Sequence, residues 1–100
     1  MIVVAGTLKL SPQSLAALRP TAEATVRATR TEAGCIVYAF SEDFTEPGLI
    51  RIYEEWESRE ALDAHGRSDH IAAWRKAVSQ AQVLSRDLKL VEIERFEAFS

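Results

Sequence analysis

The sequence predicts an α+β domain of ferredoxin-like, split β-α-β architecture: a four-stranded antiparallel sheet with its helices on one face. Three observations predict it. Segments of strand character alternate with helical stripes, their order is β-α-β-β-α(α)-β, and a Pro-Gly turn makes the two middle strands a hairpin.

Ile2, Val4, Gly6, Leu8 and Leu10 fall on one side of a first strand. Ser11-Pro12 then starts a helix, because the serine side chain can accept from free amides and Pro at the first helical position has no donor to leave unpaired. Leu15, Leu18, Ala22, Val26 and Thr29 give it an apolar stripe, so the helix is expected to run to about Glu32. Pro20 lies inside it and predicts a kink or a restart, since an interior Pro costs about 3 kcal/mol. Gly34 ends the helix, and a second strand over 35–40 puts Ile36, Tyr38 and Phe40 on one side and Cys35, Val37 and Ala39 on the other.

Glu46-Pro47-Gly48 places Pro and Gly at the centre of a type II turn and leads into a third strand, Leu49 to Trp56. Ser58 caps a short helix to about His65, and Ser68 caps another with Ile71, Trp74 and Val78 on its apolar face. The last strand is expected over 87–99, where the shift from Leu88 and Leu90 to Val91 and Ile93 suggests a bulge or two different partners. Both sides of the second strand are apolar, so one sheet face is left uncovered. A homodimer formed through that face is the expected cover.

One hundred residues, 47% apolar and 27% charged, suit a single domain spanning 1–100. Twelve basic and fifteen acidic residues give a net charge of -3 without a basic stripe, which argues against nucleic acid as a partner. No apolar run approaches the roughly 20 residues needed to cross a bilayer, and no basic segment precedes the first apolar one. A cytoplasmic protein with no membrane partner is expected. The single cysteine, Cys35, is expected to pack as a small hydrophobe.

Candidate chemistry gathers after the third strand. Ile50, Ile52, Glu54 and Trp56 share one strand face, so a carboxylate stands in an apolar row. Desolvation would raise its pKa and make it a candidate base; a structural ion pair with Arg or Lys is the alternative. His65 and His70 flank the corner at Gly66 and could move a proton or bind a ligand oxygen, against the alternative of helix-end capping. They lack the spacing of common zinc motifs, so no metal is expected. Trp56 and Trp74 could wall a pocket or pack in the core. No phosphate loop, nucleophile motif or magnesium-type carboxylate cluster is present.

Glu32-Ala33-Gly34-Cys35-Ile36-Val37-Tyr38, Tyr53-Glu54-Glu55-Trp56-Glu57-Ser58, Ala61-Leu62-Asp63-Ala64-His65 and Ser68-Asp69-His70 together resemble the antibiotic biosynthesis monooxygenase (ABM) family, including its quinol monooxygenase-like members. The resemblance implies a dimeric α+β barrel. It also implies oxidation of a quinol, polycyclic phenol or anthrone by molecular oxygen with no metal, flavin or other cofactor. Glu54, His65 or His70 would assist proton transfer and Trp56 would line the pocket; strand parity adds Ile52 and Tyr38, and Trp74 is a further wall. Haem-degrading relatives of this fold use an Asn on the first strand, a Trp at the end of the third and a His on the following helix. This chain keeps only Trp56, with Thr7 and Arg75 at the other two positions, so haem ligation is not expected. The competing class is a small-molecule binding module of the same fold without turnover.

Overall fold

A computed structural model describes residues 1–100. Its elements are β1 (Ile2–Leu10), α1 (Pro12–Thr29), β2 (Cys35–Glu42), β3 (Leu49–Trp56), α2 (Arg59–Gly66), α3 (Asp69–Ser79) and β4 (Val83–Glu92). The strands form one antiparallel sheet in the order β2-β3-β1-β4, so the outer strands are β2 and β4. This is the expected α+β, ferredoxin-like arrangement of four strands and three helices.

The predicted caps and turn form as their chemistry requires. Ser11, Ser58 and Ser68 accept from the backbone N–H of Ser14, Ala61 and Ile71. Leu49 N–H donates to Glu46 O at 3.2 Å across the Pro47-Gly48 turn, and Gly48 takes the positive φ of 85° that a type II turn needs.

Four expectations need correction. First, α1 stops at Thr29, short of Glu32. Its end tightens through i to i+3 bonds, Thr31 N–H to Ala28 O and Glu32 N–H to Thr29 O, which turn the chain out of the helix. Second, Pro20 starts no new helix. It sits on an exposed turn, where the carbonyl it leaves without a donor can be hydrated. Third, the pairing of β2 with β3 slips between Cys35 and Val37. Ile36 is the extra residue of a bulge, so Cys35 lies on the same side as Tyr38 and Phe40 and packs against the core there.

Fourth, β4 runs over Val83–Glu92, earlier than 87–99, because it pairs with β1 and β1 has run out beyond it. The last bond of that seam is Ile93 N–H to Met1 O at 2.9 Å. The register shift falls opposite Lys9 and Leu10, near Leu84, and the strand continues unbroken through Leu90 and Val91. Apolar residues occupy both its faces because it is an edge strand, and every residue in it is exposed.

The helix-facing side of the sheet holds the core. Leu8, Ile50 and Ile52 meet Leu15, Leu18, Ile71, Trp74 and Val78 in one cluster, while Ile2, Tyr38 and Trp56 form a second. The opposite face carries Val3, Ala5, Val37, Ala39, Tyr53 and Val91 together with the charged Arg51, Glu55, Asp87 and Lys89, by the same cross-strand register. No helix is long and apolar enough to cross a membrane.

β4 comes unusually close to β1 at Gly6, which pairs with Leu88. A Cβ added there would lie 1.9 Å from Asp87 O, against backbone that cannot swing aside. Gly6→Val is therefore expected to destabilise the protein by about 3 kcal/mol or more, measured by urea unfolding.

Candidate functional site

Strand parity places Glu54 between the two core clusters. Its neighbours across the ladder are Val4 on β1 and Tyr38 on β2, and it is only 7% exposed. Two residues along the same face, Trp56 donates its indole Nε1–H to Glu54 Oε1 at 2.9 Å. Burial pushes the Glu54 carboxyl above its ordinary pKa, opposed by the Trp56 hydrogen bond and by His65. No Arg or Lys pairs with it, so the ion-pair alternative does not describe this carboxylate.

His65 closes α2 and is buried, its ring 4.9 Å from that of Trp56 and 5.2 Å from that of Tyr38, centroid to centroid. His65 Nδ1 lies 3.1 Å from Glu32 Oε1, and His70 Nε2 makes a very short contact with the same oxygen. The Glu32 oxygen is thus shared by one ring nitrogen of each histidine. The other ring nitrogen of His65, Nε2, has no hydrogen-bond partner within the chain, and His65 lines a cleft.

The cleft has a volume of about 980 Å³ and lies between the β1–β4 side of the sheet and helices α2 and α3. Of the residues singled out in the sequence, Glu54, His65, Tyr38, Ile52 and Trp74 line it. Trp56 and His70 do not. Trp56 has no exposed surface and stands behind the wall, bonded to Glu54. His70 stands behind His65 on the far side of Glu32, with a quarter of its side chain exposed. Burial, then Glu54, hold the Tyr38 phenol far above its usual range, so it keeps its proton. Burial also pushes the Cys35 thiol up, which makes it a poor nucleophile and suits its packing role.

Glu32 is the residue that the sequence reading missed. It is separated from the histidines by 33 and 38 positions, and no local spacing links them. The one signal for it was its place at the head of the Glu32-to-Tyr38 stretch that carries part of the family resemblance. Glu32, His65 and His70 each offer one donor atom, all within 4.8 Å of one another. Two imidazoles and a carboxylate are a set that zinc or iron accepts, so these three are the residues that could hold a metal. Their mutual hydrogen bonds also complete the cluster by themselves.

Residues 1–77 match the family described as antibiotic biosynthesis monooxygenase. The chain is 39% identical over 64 residues to the uncharacterized protein sll1783 of Synechocystis, a match that covers 64% of this chain and 44% of that protein; the chain thus spans under half the length of this relative. It is 35% identical over 69 residues to Rv0793 of Mycobacterium tuberculosis, assigned as a monooxygenase, covering 69% of this chain and 67% of Rv0793. Among solved structures, a Deinococcus radiodurans protein assigned to the antibiotic biosynthesis monooxygenases superposes with a TM-score of 0.82. It is 33% identical, over 100% of this chain and 97% of that one. The Rv0793 structure superposes with a TM-score of 0.78 at 27% identity, covering 99% of this chain and 98% of its own. With strands, helices and most of its sequence matched in order, the chain belongs to the antibiotic biosynthesis monooxygenase family.

Proposed function

We propose that the protein is a monooxygenase that oxidises a quinol, polycyclic phenol or anthrone with molecular oxygen and without a cofactor. One juxtaposition supports this reading above others: His65, whose Nδ1 lies 3.1 Å from Glu32 Oε1 and whose Nε2 is unpartnered, lines the same apolar-walled cleft as the buried Glu54. A cleft of this volume accommodates a fused-ring substrate.

For an anthrone-type substrate, His65 takes the proton from the acidic ring carbon and leaves a delocalised carbanion. Glu54 stabilises the imidazolium that results, since its charge is otherwise costly in that site. The carbanion passes one electron to oxygen, and the resulting radical pair combines in a new carbon–oxygen bond. The peroxide anion takes the proton back from His65 and, as its remaining C–H proton leaves and the O–O bond breaks, loses water, so one oxygen atom enters the ring carbonyl and the other leaves as water. Ile52, Tyr38 and Trp74 shield the reacting ring, Trp56 holds Glu54, and His70 steadies Glu32 at the protein surface.

Oxygen uptake with a panel of quinols and anthrones tests the reading. We expect turnover that survives exhaustive chelation, a hundredfold or greater loss in His65→Ala and roughly tenfold loss in Glu32→Gln. Ligand binding without oxygen uptake across the panel would make the protein a binding module instead.

Glu54→Gln separates function from stability. Because the folded-state pKa is raised, the native protein retains a proton that the unfolded chain has already released as pH climbs past the ordinary carboxylate value. Native stability from this group therefore falls as pH rises through that window. Glu54→Gln is expected to lose activity yet gain in melting temperature over the parent, with the gap widening as pH rises past the ordinary carboxylate value.

The sheet face that no helix covers, with Val3, Ala5, Val37, Ala39, Tyr53 and Val91 on it, supports a homodimer closed into an α+β barrel. Sedimentation at micromolar concentration is expected to give a dimer, and Tyr53→Lys, which puts a charge in the middle of that face, a monomer. A monomeric parent chain would overturn the dimer.

A further inference from the structure

The cleft carries a charge that the chain as a whole does not. Of twelve basic and fifteen acidic residues, four basic ones line it, Arg59, Arg67, Arg75 and Arg86, against two acidic ones, Asp63 and Glu54. An acidic protein thus concentrates a third of its positive charge on one opening. Two of the four guanidinium groups are occupied: Arg59 Nε donates to Asp63 Oδ1 at 3.2 Å, and Arg75 donates to Gly66 O at 3.0 Å, bracing the α2–α3 corner. Arg67 and Arg86 form no ion pair or side-chain hydrogen bond within the chain, yet both border the cleft. Arg86 reaches it because it pairs with Leu8 across the β1–β4 ladder and so shares the helix-facing side of the sheet.

A guanidinium presents a planar fork of N–H donors that matches an oxyanion, and one left free at the mouth of an apolar cleft is available to a ligand. Glu54 lies at the buried end and repels negative charge, so an anionic ligand would enter with its charged group outward. Its ring then lies inward, beside His65 Nε2.

We propose that the cleft selects a hydroxylated aromatic that carries a peripheral oxyanion, a carboxylate or a phosphate, held at the mouth by Arg67 and Arg86. This rests on the cleft being the substrate site and adds to it a substrate class and an orientation. Neutral polycyclic phenols then become the poorer ligands.

Calorimetric titration with 1-hydroxy-2-naphthoate, 1-naphthyl phosphate and neutral 1-naphthol tests it on the intact protein. We expect at least one anion to bind about tenfold tighter than naphthol at low salt. The tighter of the two identifies the group. The preference should shrink several-fold at about 0.5 M salt, where exposed charges are screened. It should vanish in Arg67→Gln/Arg86→Gln and return in part in Arg67→Lys/Arg86→Lys, with circular dichroism confirming that both variants fold. Naphthol binding as tightly as both anions would overturn the oxyanion preference and leave the monooxygenase reading standing. An anion preference that persists in the glutamine variant would overturn the assignment to Arg67 and Arg86. Failure of all three probes to bind would overturn the proposal together with the cleft as the substrate site, a result distinguishable from the loss of selectivity alone.

Discussion

One carboxylate oxygen, Oε1 of Glu32, accepts from two imidazoles and so ties together three segments that are far apart in sequence. It joins the turn after α1 to the end of α2 and the first turn of α3. The arrangement depends on α1 ending at Thr29, because a continued helix would carry Glu32 elsewhere. It depends equally on Gly34, whose positive φ of 82° turns the chain toward β2 while its bare Cα sits against Ala61; a Cβ there would come within 2.5 Å of the Ala61 methyl. The corner that packs α2 against the turn before β2 is thus also the corner that orients His65.

Burial of this much polar chemistry is tolerated because it is satisfied. No buried side-chain nitrogen or oxygen lacks a partner, and Thr25 and Thr29, both buried in α1, return their hydroxyls to the carbonyls of Thr21 and Thr25. Glu54 differs in kind. It has a single indole donor and open space beside it, where a structural carboxylate would be expected to have a cation or several amides. A group held so incompletely retains free-energy capacity for a ligand or a proton to use, which a closed ion pair would lack.

Strand and helix periodicity made most of the fold legible. The period of two placed Ile50, Ile52, Glu54 and Trp56 on the core side, and serines before apolar stripes marked each helix start. What stayed hidden depends on contacts between distant residues. The Ile36 bulge reverses the side assigned to Cys35, and nothing in a short apolar run distinguishes a bulge from straight alternation. The limits of β4 are set by where β1 begins and ends, a property of its partner. The candidate site divides in the same way: Glu54 and the histidines stood out by residue type and face, whereas Glu32 needed three dimensions. Parity placed Trp56 on the right face but could not tell the cleft wall from the layer behind it.

The contact at Gly6 bears on how such a site can diversify. There two backbones stand in near contact, and Gly6 offers no side chain to exchange. New shapes must therefore come from the side chains around that seam, Tyr38 and Ile52 on the sheet and Leu62, Trp74 and Val78 on the helices. The seam is a fixed anvil and its surroundings are free to vary, so relatives could change what they hold while leaving the first and last strands paired as they are.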